Sequence, residues 1–183
     1  MLREFYIRML LGFASKPRGL ISKAVALLIG GVLFLALIPW LLIRFAGWIL
    51  PSRLIVAPGA AAVAAAGLSL AAGLFWLVWA VWTQLTLGQG TPNPAVPPRK
   101  LIVKGPFRYC RNPIQLGAML YYLGLATFIS GFAAGLASFT IAFIAGSLYH
   151  RLVEEGELRR RFGGEYEEYR RQTPFLVPRF RRK

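Results

Sequence analysis

Three stretches without a charged side chain, 24–43, 54–87 and 112–150 (His150 taken as neutral), decide what this chain can fold into. The hydrocarbon core of a bilayer is about 30 Å thick and takes roughly 20 apolar residues per helix. Each run reaches that length. With 56% hydrophobic and only 16% charged residues and a mean hydropathy of +0.53, the chain reads as an all-α integral membrane protein.

The first run, 24–43, reads as a retained span and not as a cleavable signal peptide, because it is long and no small-residue cleavage pattern follows it. Its Gly30, Gly31 and Pro39 are tolerable in a membrane helix. The second run is too long for one straight span, but Pro58-Gly59 gives it a start and leaves 60–86. The third holds two short helices, 113–129 and 133–150, hinged at Ser130-Gly131. That turn carries no charge and must be tight and partly embedded. The expected architecture is about four transmembrane helices plus a cytoplasmic amphipathic C-terminal helix, in one structural unit. Residues 1–87 carry an N-terminal amphipathic segment and two spans; residues 88–183 carry a loop, a transmembrane hairpin and the final helix.

Lysine and arginine set the expected orientation. All but Arg44 and Arg53 of the 22 lie before the first span, in the 88–112 loop or at and beyond Arg151. Those regions share one side, which the positive-inside rule makes cytoplasmic. Both termini are then cytoplasmic, and the expected location is a bacterial or archaeal inner membrane. The net charge of +15 follows from that rule and from attraction to anionic lipid headgroups, so nucleic-acid binding is not expected. One cysteine, Cys110, allows no internal disulfide; with one histidine and no aspartate, no metal site or hydrolase triad is expected.

The acidic residues are concentrated. Apart from Glu4, all lie between Glu154 and Glu168, in EEGELRRRFGGEYEEYRR. On a helix, Glu154, Leu158, Phe162, Tyr166 and Tyr169 form one stripe, while Glu155 with Arg159 and Glu157 with Arg161 make i,i+4 pairs on other faces. Gly163-Gly164 should bend or break that helix. An amphipathic helix lying on the membrane, with its aromatic stripe in the headgroups, accounts for most of this pattern. It leaves Glu154 unexplained. A carboxylate heading an apolar stripe where the chain leaves the bilayer calls for a cationic partner: Arg108, Arg111 or a cationic ligand.

Residues 88–98, GQGTPNPAVPP, favour an extended, rigid strand with few internal hydrogen bonds, which serves as a stiff connector or as a cover over a pocket. Gly88 and Gly90 do not make a dinucleotide fingerprint. Asn112-Pro113 reads as a helix start, with Asn as N-cap and Pro at the first helical position. The free N–H groups there favour an anion, and Arg108 and Arg111 add positive charge.

Two motifs carry a resemblance. GPFRYCRNPIQLG, residues 105–117, resembles the GPYRYxRxPxYxG motif of the isoprenylcysteine carboxyl methyltransferase and phospholipid methyltransferase family. LVEEGELRRRFGGEYEEYRRQTPFLVPR, residues 152–179, is similar to that family's EExxLxxxFGxxYxxYxxxxPxxxPR. The resemblance covers about 84–180, with the motifs separated by a helical hairpin; residues 1–80 match only as hydrophobic spans. Asn112 stands where many members have His, and Gln115 replaces a Tyr of the first motif.

The resemblance implies a membrane-embedded methyltransferase that uses S-adenosylmethionine, held on the cytoplasmic side in a pocket open sideways to lipid. It implies a cofactor set of Phe107, Tyr109, Asn112, Pro113, Gly117, Glu154, Glu155 and Tyr166, and catalytic roles for Arg108, Arg111 and Glu154. The cofactor carboxylate suits the helix start at Asn112, and its amino group suits Glu154 or Glu155. Phe107, Tyr109 and Tyr166 suit the adenine or the sulfonium. The acceptor is expected to be lipophilic, either an isoprenylcysteine-type carboxylate or a phospholipid-type amine. A carboxylate needs only a cation, Arg111 or Arg108, to hold it; an amine must lose a proton, to Glu154, Glu155 or a Tyr, and a thiol needs similar help, so the scarcity of acid/base residues favours an acceptor that arrives already nucleophilic. Cys110 lacks a Cys-His pairing that would make it a nucleophile, and His150 reads as an interfacial residue. Competing readings are an NADPH-dependent membrane reductase of related architecture and a non-catalytic membrane scaffold.

Overall fold

The computed structural model describes residues 2–15 and 19–180, and these form five helices: α1 (Leu2–Ser15), α2 (Leu20–Ile49), α3 (Ala60–Thr86), α4 (Pro113–Ser130) and α5 (Phe132–Gln172). Lys16, Arg18, Arg181, Arg182 and Lys183, which enter the charge pattern, lie outside the described residues. Helices α2 to α5 are long and apolar enough to cross a membrane. The protein is an all-α integral membrane protein with four candidate spans.

The start of α3 falls at the Pro58-Gly59 signal, and the hinge between α4 and α5 falls at Gly131. Gly131 has φ 87°, a conformation L side chains avoid, and a Cβ there would run into the carbonyl of Val56. Only glycine turns this corner beneath the 50–59 connection.

Two spans depart from the expected boundaries. Helix α2 begins four residues before the charge-free run and continues six beyond it. Its middle contains a π-helical turn, Leu33–Leu37, just before Pro39. Pro39 has no N–H and its ring crowds the carbonyl of the preceding turn, so the helix widens there. The carbonyl of Leu35, four residues before Pro39, accepts a hydrogen bond of 3.0 Å from the Tyr121 hydroxyl. A hydroxyl from α4 thus satisfies the acceptor that the proline orphans.

Helix α5 corrects the expected C-terminal architecture. Among the described residues no separate amphipathic helix follows the last span: one helix runs from Phe132 to Gln172, through a π-helical turn at His150–Glu154. Gly163 (φ 51°, ψ −124°) kinks it where the glycine pair predicts a bend. Nor does the aromatic stripe face headgroups. Tyr166 and Tyr169 are buried against the 105–112 segment. Glu165 and Glu168 are exposed.

Helices α3 and α4 pack backbone to backbone. A Cβ on Gly73 would sit 2.5 Å from the Tyr121 nitrogen, one on Gly117 would sit 2.9 Å from the Gly73 carbonyl, and one on Gly124 would sit 2.6 Å from the Ala66 carbonyl. In hydrocarbon there is no hydrophobic force between helices, so close van der Waals contact of small residues holds them. The Ser69 hydroxyl adds a 2.8 Å bond to the Leu120 carbonyl. Between α4 and α5, Gln115 is the strut: its amide donates to the Phe143 carbonyl at 3.3 Å and to the Ser147 hydroxyl at 3.2 Å, over Gly146.

The proline loop is compact, which corrects the expectation of an extended strand. Thr91 N–H donates to the Val96 carbonyl at 2.8 Å, Ala95 N–H to the Asn93 side chain at 2.9 Å, and Arg99 N–H to the Gly88 carbonyl at 2.8 Å. Pro92 and Pro94 lie in a bend and a turn, and the Thr91 and Asn93 side chains close the turns around them. Asn93 also donates to the Ala26 carbonyl of α2 at 3.3 Å, and Arg161 of α5 donates to the Pro98 carbonyl. The loop therefore fastens the start of α2 and the middle of α5 at the end of the bundle where α3 leaves and α4 begins. Helix α1 docks there too, with Ile7 fully buried over Gly156 and Glu4 paired to Arg160 at 2.6 Å.

Candidate active site

The segment before α4 and the C-terminal half of α5 meet through polar contacts that join the two motifs. Arg111 lies at the centre. Its Nη1 donates to Glu155 Oε1 at 2.8 Å and to the Tyr166 hydroxyl at 3.1 Å; its Nε donates to the Thr173 carbonyl at 3.2 Å, and its backbone N–H to the Pro174 carbonyl at 2.9 Å. The Arg111 and Glu155 side chains are each 11% exposed. Such a pair is stable only when its remaining donors and acceptors are satisfied. Here Glu155 also meets Arg159 at 3.3 Å and Arg170 at 3.5 Å.

Two assignments made from the pattern change at this point. Glu155, not Glu154, is the partner of Arg111. Glu154 instead binds His150 Nδ1 one turn back, through the π-helical turn. Asn112 does precede the first helical residue, Pro113, but its side chain makes no capping bond. Its amide reaches sideways and donates to the Phe175 carbonyl at 2.9 Å. A tertiary acceptor has displaced the local one.

Around these groups lies a cleft of about 210 Å³, counting its open mouth, lined by Arg111, Asn112, His150, Glu154, Glu155, Leu158 and Tyr166. Five of the residues expected from sequence thus share one opening. The other five lie elsewhere. Phe107 packs in a small core with Ala80 and Ile102, and its carbonyl accepts the Tyr169 hydroxyl at 2.7 Å. Tyr109 stacks between Trp79 and Phe180, with exposed Arg108 over its ring at 5.1 Å. Pro113 is buried as the first residue of α4, and Gly117 is buried against α3. Gln115, the other departure from the motif, does not line the cleft.

Sequence reasoning missed two groups. His150 lines the cleft, and the i,i+4 spacing to Glu154 was a signal only if the helix is taken to run on past the span. Phe175 was the other. Its ring lies 5.6 Å from the Arg111 guanidinium and 4.8 Å from that of Arg151, and meets the His150 ring edge-on at 6.5 Å. Residues 173–175 thus run alongside Arg111 and Asn112, held by their carbonyls.

Cys110 is fully buried behind the site, and burial pushes its thiol up to about 12. A thiol held protonated is a poor nucleophile. The expected result is that Cys110 resists maleimide at neutral pH in the folded protein and labels fully after denaturation; rapid labelling of the native state would contradict this burial.

The family model for phospholipid methyltransferases matches residues 61–165, more than half of the 183-residue chain. The match runs from α3 through the loop and the hairpin and into both motifs. Searches of curated proteins and of solved structures gave no match.

Proposed function

The chain belongs to the phospholipid methyltransferase family, and on that premise we propose that it methylates the headgroup of a membrane lipid with S-adenosylmethionine, at the cleft between α4 and α5. The observation that carries this reading is the gathering of Arg111, Asn112, Glu154, Glu155 and Tyr166 around one opening. The match is to methyltransferases, which weighs against the reductase reading.

The groups present suit this cofactor by their chemistry. Arg111 and Asn112 offer N–H donors to a carboxylate. Glu155 and Glu154 offer oxygens to an ammonium, and the Tyr166 ring and Leu158 offer an apolar wall. When bound, S-adenosylmethionine supplies an electrophilic methyl group on a sulfonium. The chain itself contributes position and exclusion of water, which supply much of the acceleration in such a displacement. Phe107, Tyr109, Pro113 and Gly117 support the site from behind. Arg108 and Arg151 stand exposed at the same end of the bundle and would hold a lipid phosphate. By the distribution of Lys and Arg that end faces the cytoplasm.

Calorimetry on the purified chain is expected to show binding of S-adenosylmethionine and none of NADPH. Membranes incubated with methyl-labelled cofactor are expected to carry the label in extractable lipid. Binding of NADPH alone, or label confined to protein, would overturn the proposal.

A further inference from the structure

We propose that His150, oriented by Glu154, takes the proton from an ammonium headgroup at the cleft, so that the site is built for an amine acceptor and not for a carboxylate. The inference rests on the methyl-transfer reading above. It names a proton acceptor that neither motif includes.

The geometry carries the argument. His150 is the one histidine in the chain. The π-helical turn at His150–Glu154 brings it to the lip of the cleft, and its Nδ1 contacts Glu154 Oε2. With a carboxylate as partner, Nδ1 carries the hydrogen and Nε2 keeps its lone pair. A carboxylate that fixes the tautomer and steadies the imidazolium is how a histidine becomes an effective base. Its surroundings are otherwise mixed in charge. On α5 it lies with Glu154, Glu155 and Tyr149, with Arg151 next in sequence; Arg111 and Asn112 line the cleft, Tyr6 of α1 lies against Tyr149, and the Phe175 ring meets the imidazole edge-on. The other carboxylate at the lip is engaged. Glu155 holds three arginines and cannot serve as base without breaking the site.

The step balances. A primary ammonium transfers one proton to His150 Nε2, leaving a neutral amine and an imidazolium. The amine nitrogen forms a bond to the methyl carbon as the sulfur–methyl bond breaks and its electron pair stays on sulfur. The product is a methylated ammonium, and the imidazolium returns its proton to water. A carboxylate acceptor would give His150 nothing to do.

The test uses the full chain in lipid nanodiscs with methyl-labelled S-adenosylmethionine and vesicles of phosphatidylethanolamine, or a farnesylated cysteine as the carboxylate probe. In wild type the rate on the amine is expected to fall on the acid side as the imidazole protonates. His150→Gln is expected to lower turnover on the amine by roughly 10²-fold or more and to remove that acid limb. Glu154→Gln keeps the imidazole but loses its negative neighbour. It is expected to move both the acid limb and the NMR titration of the single histidine, read on the cofactor-free protein, to lower pH. An unchanged acid limb in His150→Gln, an unmoved histidine titration in Glu154→Gln, or methylation of the farnesylated cysteine alone would overturn the proton-acceptor role while sparing methyl transfer. Failure of the wild type to bind the cofactor would overturn both.

Discussion

Replacing Arg111 by alanine is expected to abolish methyl transfer and cofactor binding and to lower the unfolding temperature together. The side chain holds four contacts from three directions: Glu155, Tyr166 and the carbonyl of Thr173 through its guanidinium, and the Phe175 ring beside it. Removing one partner of a buried ion pair leaves an uncompensated charge and costs about 3–5 kcal/mol. The lower end applies here, because Arg159 and Arg170, both partly exposed, still approach Glu155. Arg111→Lys keeps the charge but lacks the planar fork that reaches carboxylate and hydroxyl at once. It should recover much of the stability and little of the turnover. Thermal unfolding in detergent, calorimetry and labelled transfer measure the three effects separately. Wild-type turnover in the alanine variant would sink the site assignment.

Why did the pattern leave the partner of Glu154 open among Arg108, Arg111 and a ligand, when Arg111 meets Glu155? The spans were legible because length, absence of charge and Gly or Pro punctuation are local properties. Pro58-Gly59 starts α3, Ser130-Gly131 turns the hairpin, and Gly163 kinks α5, each as the residues alone predict. What the sequence did not carry was continuity. Ending the last span at 150 separated His150 from Glu154, so their i,i+4 relation had no helix to lie on. The chain instead widens into a π-helical turn and continues. Once His150 captures Glu154, the adjacent Glu155 is left for Arg111. Asn112 follows the same logic. Its local role as a cap competes with a carbonyl from residue 175, 63 positions away, and the distant partner wins. The compact 88–98 loop is a third case: proline content predicts extension, but Thr91 and Asn93 close turns whose value depends on the buried environment around them.

Gly117→Val is expected to remove most of the folded protein from the membrane, the largest structural effect of any single change considered. A Cβ there would sit 2.8 Å from Leu77 Cγ, 2.9 Å from the Leu77 nitrogen and 2.9 Å from the Gly73 carbonyl. Two of those three atoms are backbone, so no side-chain rotation relieves the clash and α3 must move away from α4. Overpacking by a methylene or two typically costs about 1–3 kcal/mol, and displacing a helix that also carries Gly73 and faces Gly124 should exceed that. The family motif invites a different account, in which this glycine lets the cofactor approach. Gly117→Ala separates the two. If packing is the role, the folded fraction drops, measured by detergent-stable yield, while the protein that remains binds S-adenosylmethionine as tightly as wild type. If the glycine meets the cofactor, the order reverses: the yield is preserved and the affinity is lost. Burial of Gly117 against α3, with the cleft opening on the side of Arg111 and α5, favours the first outcome. The glycine then serves the site at one remove, by letting α3 and α4 lie close enough to hold the start of α4, and Arg111 before it, in place.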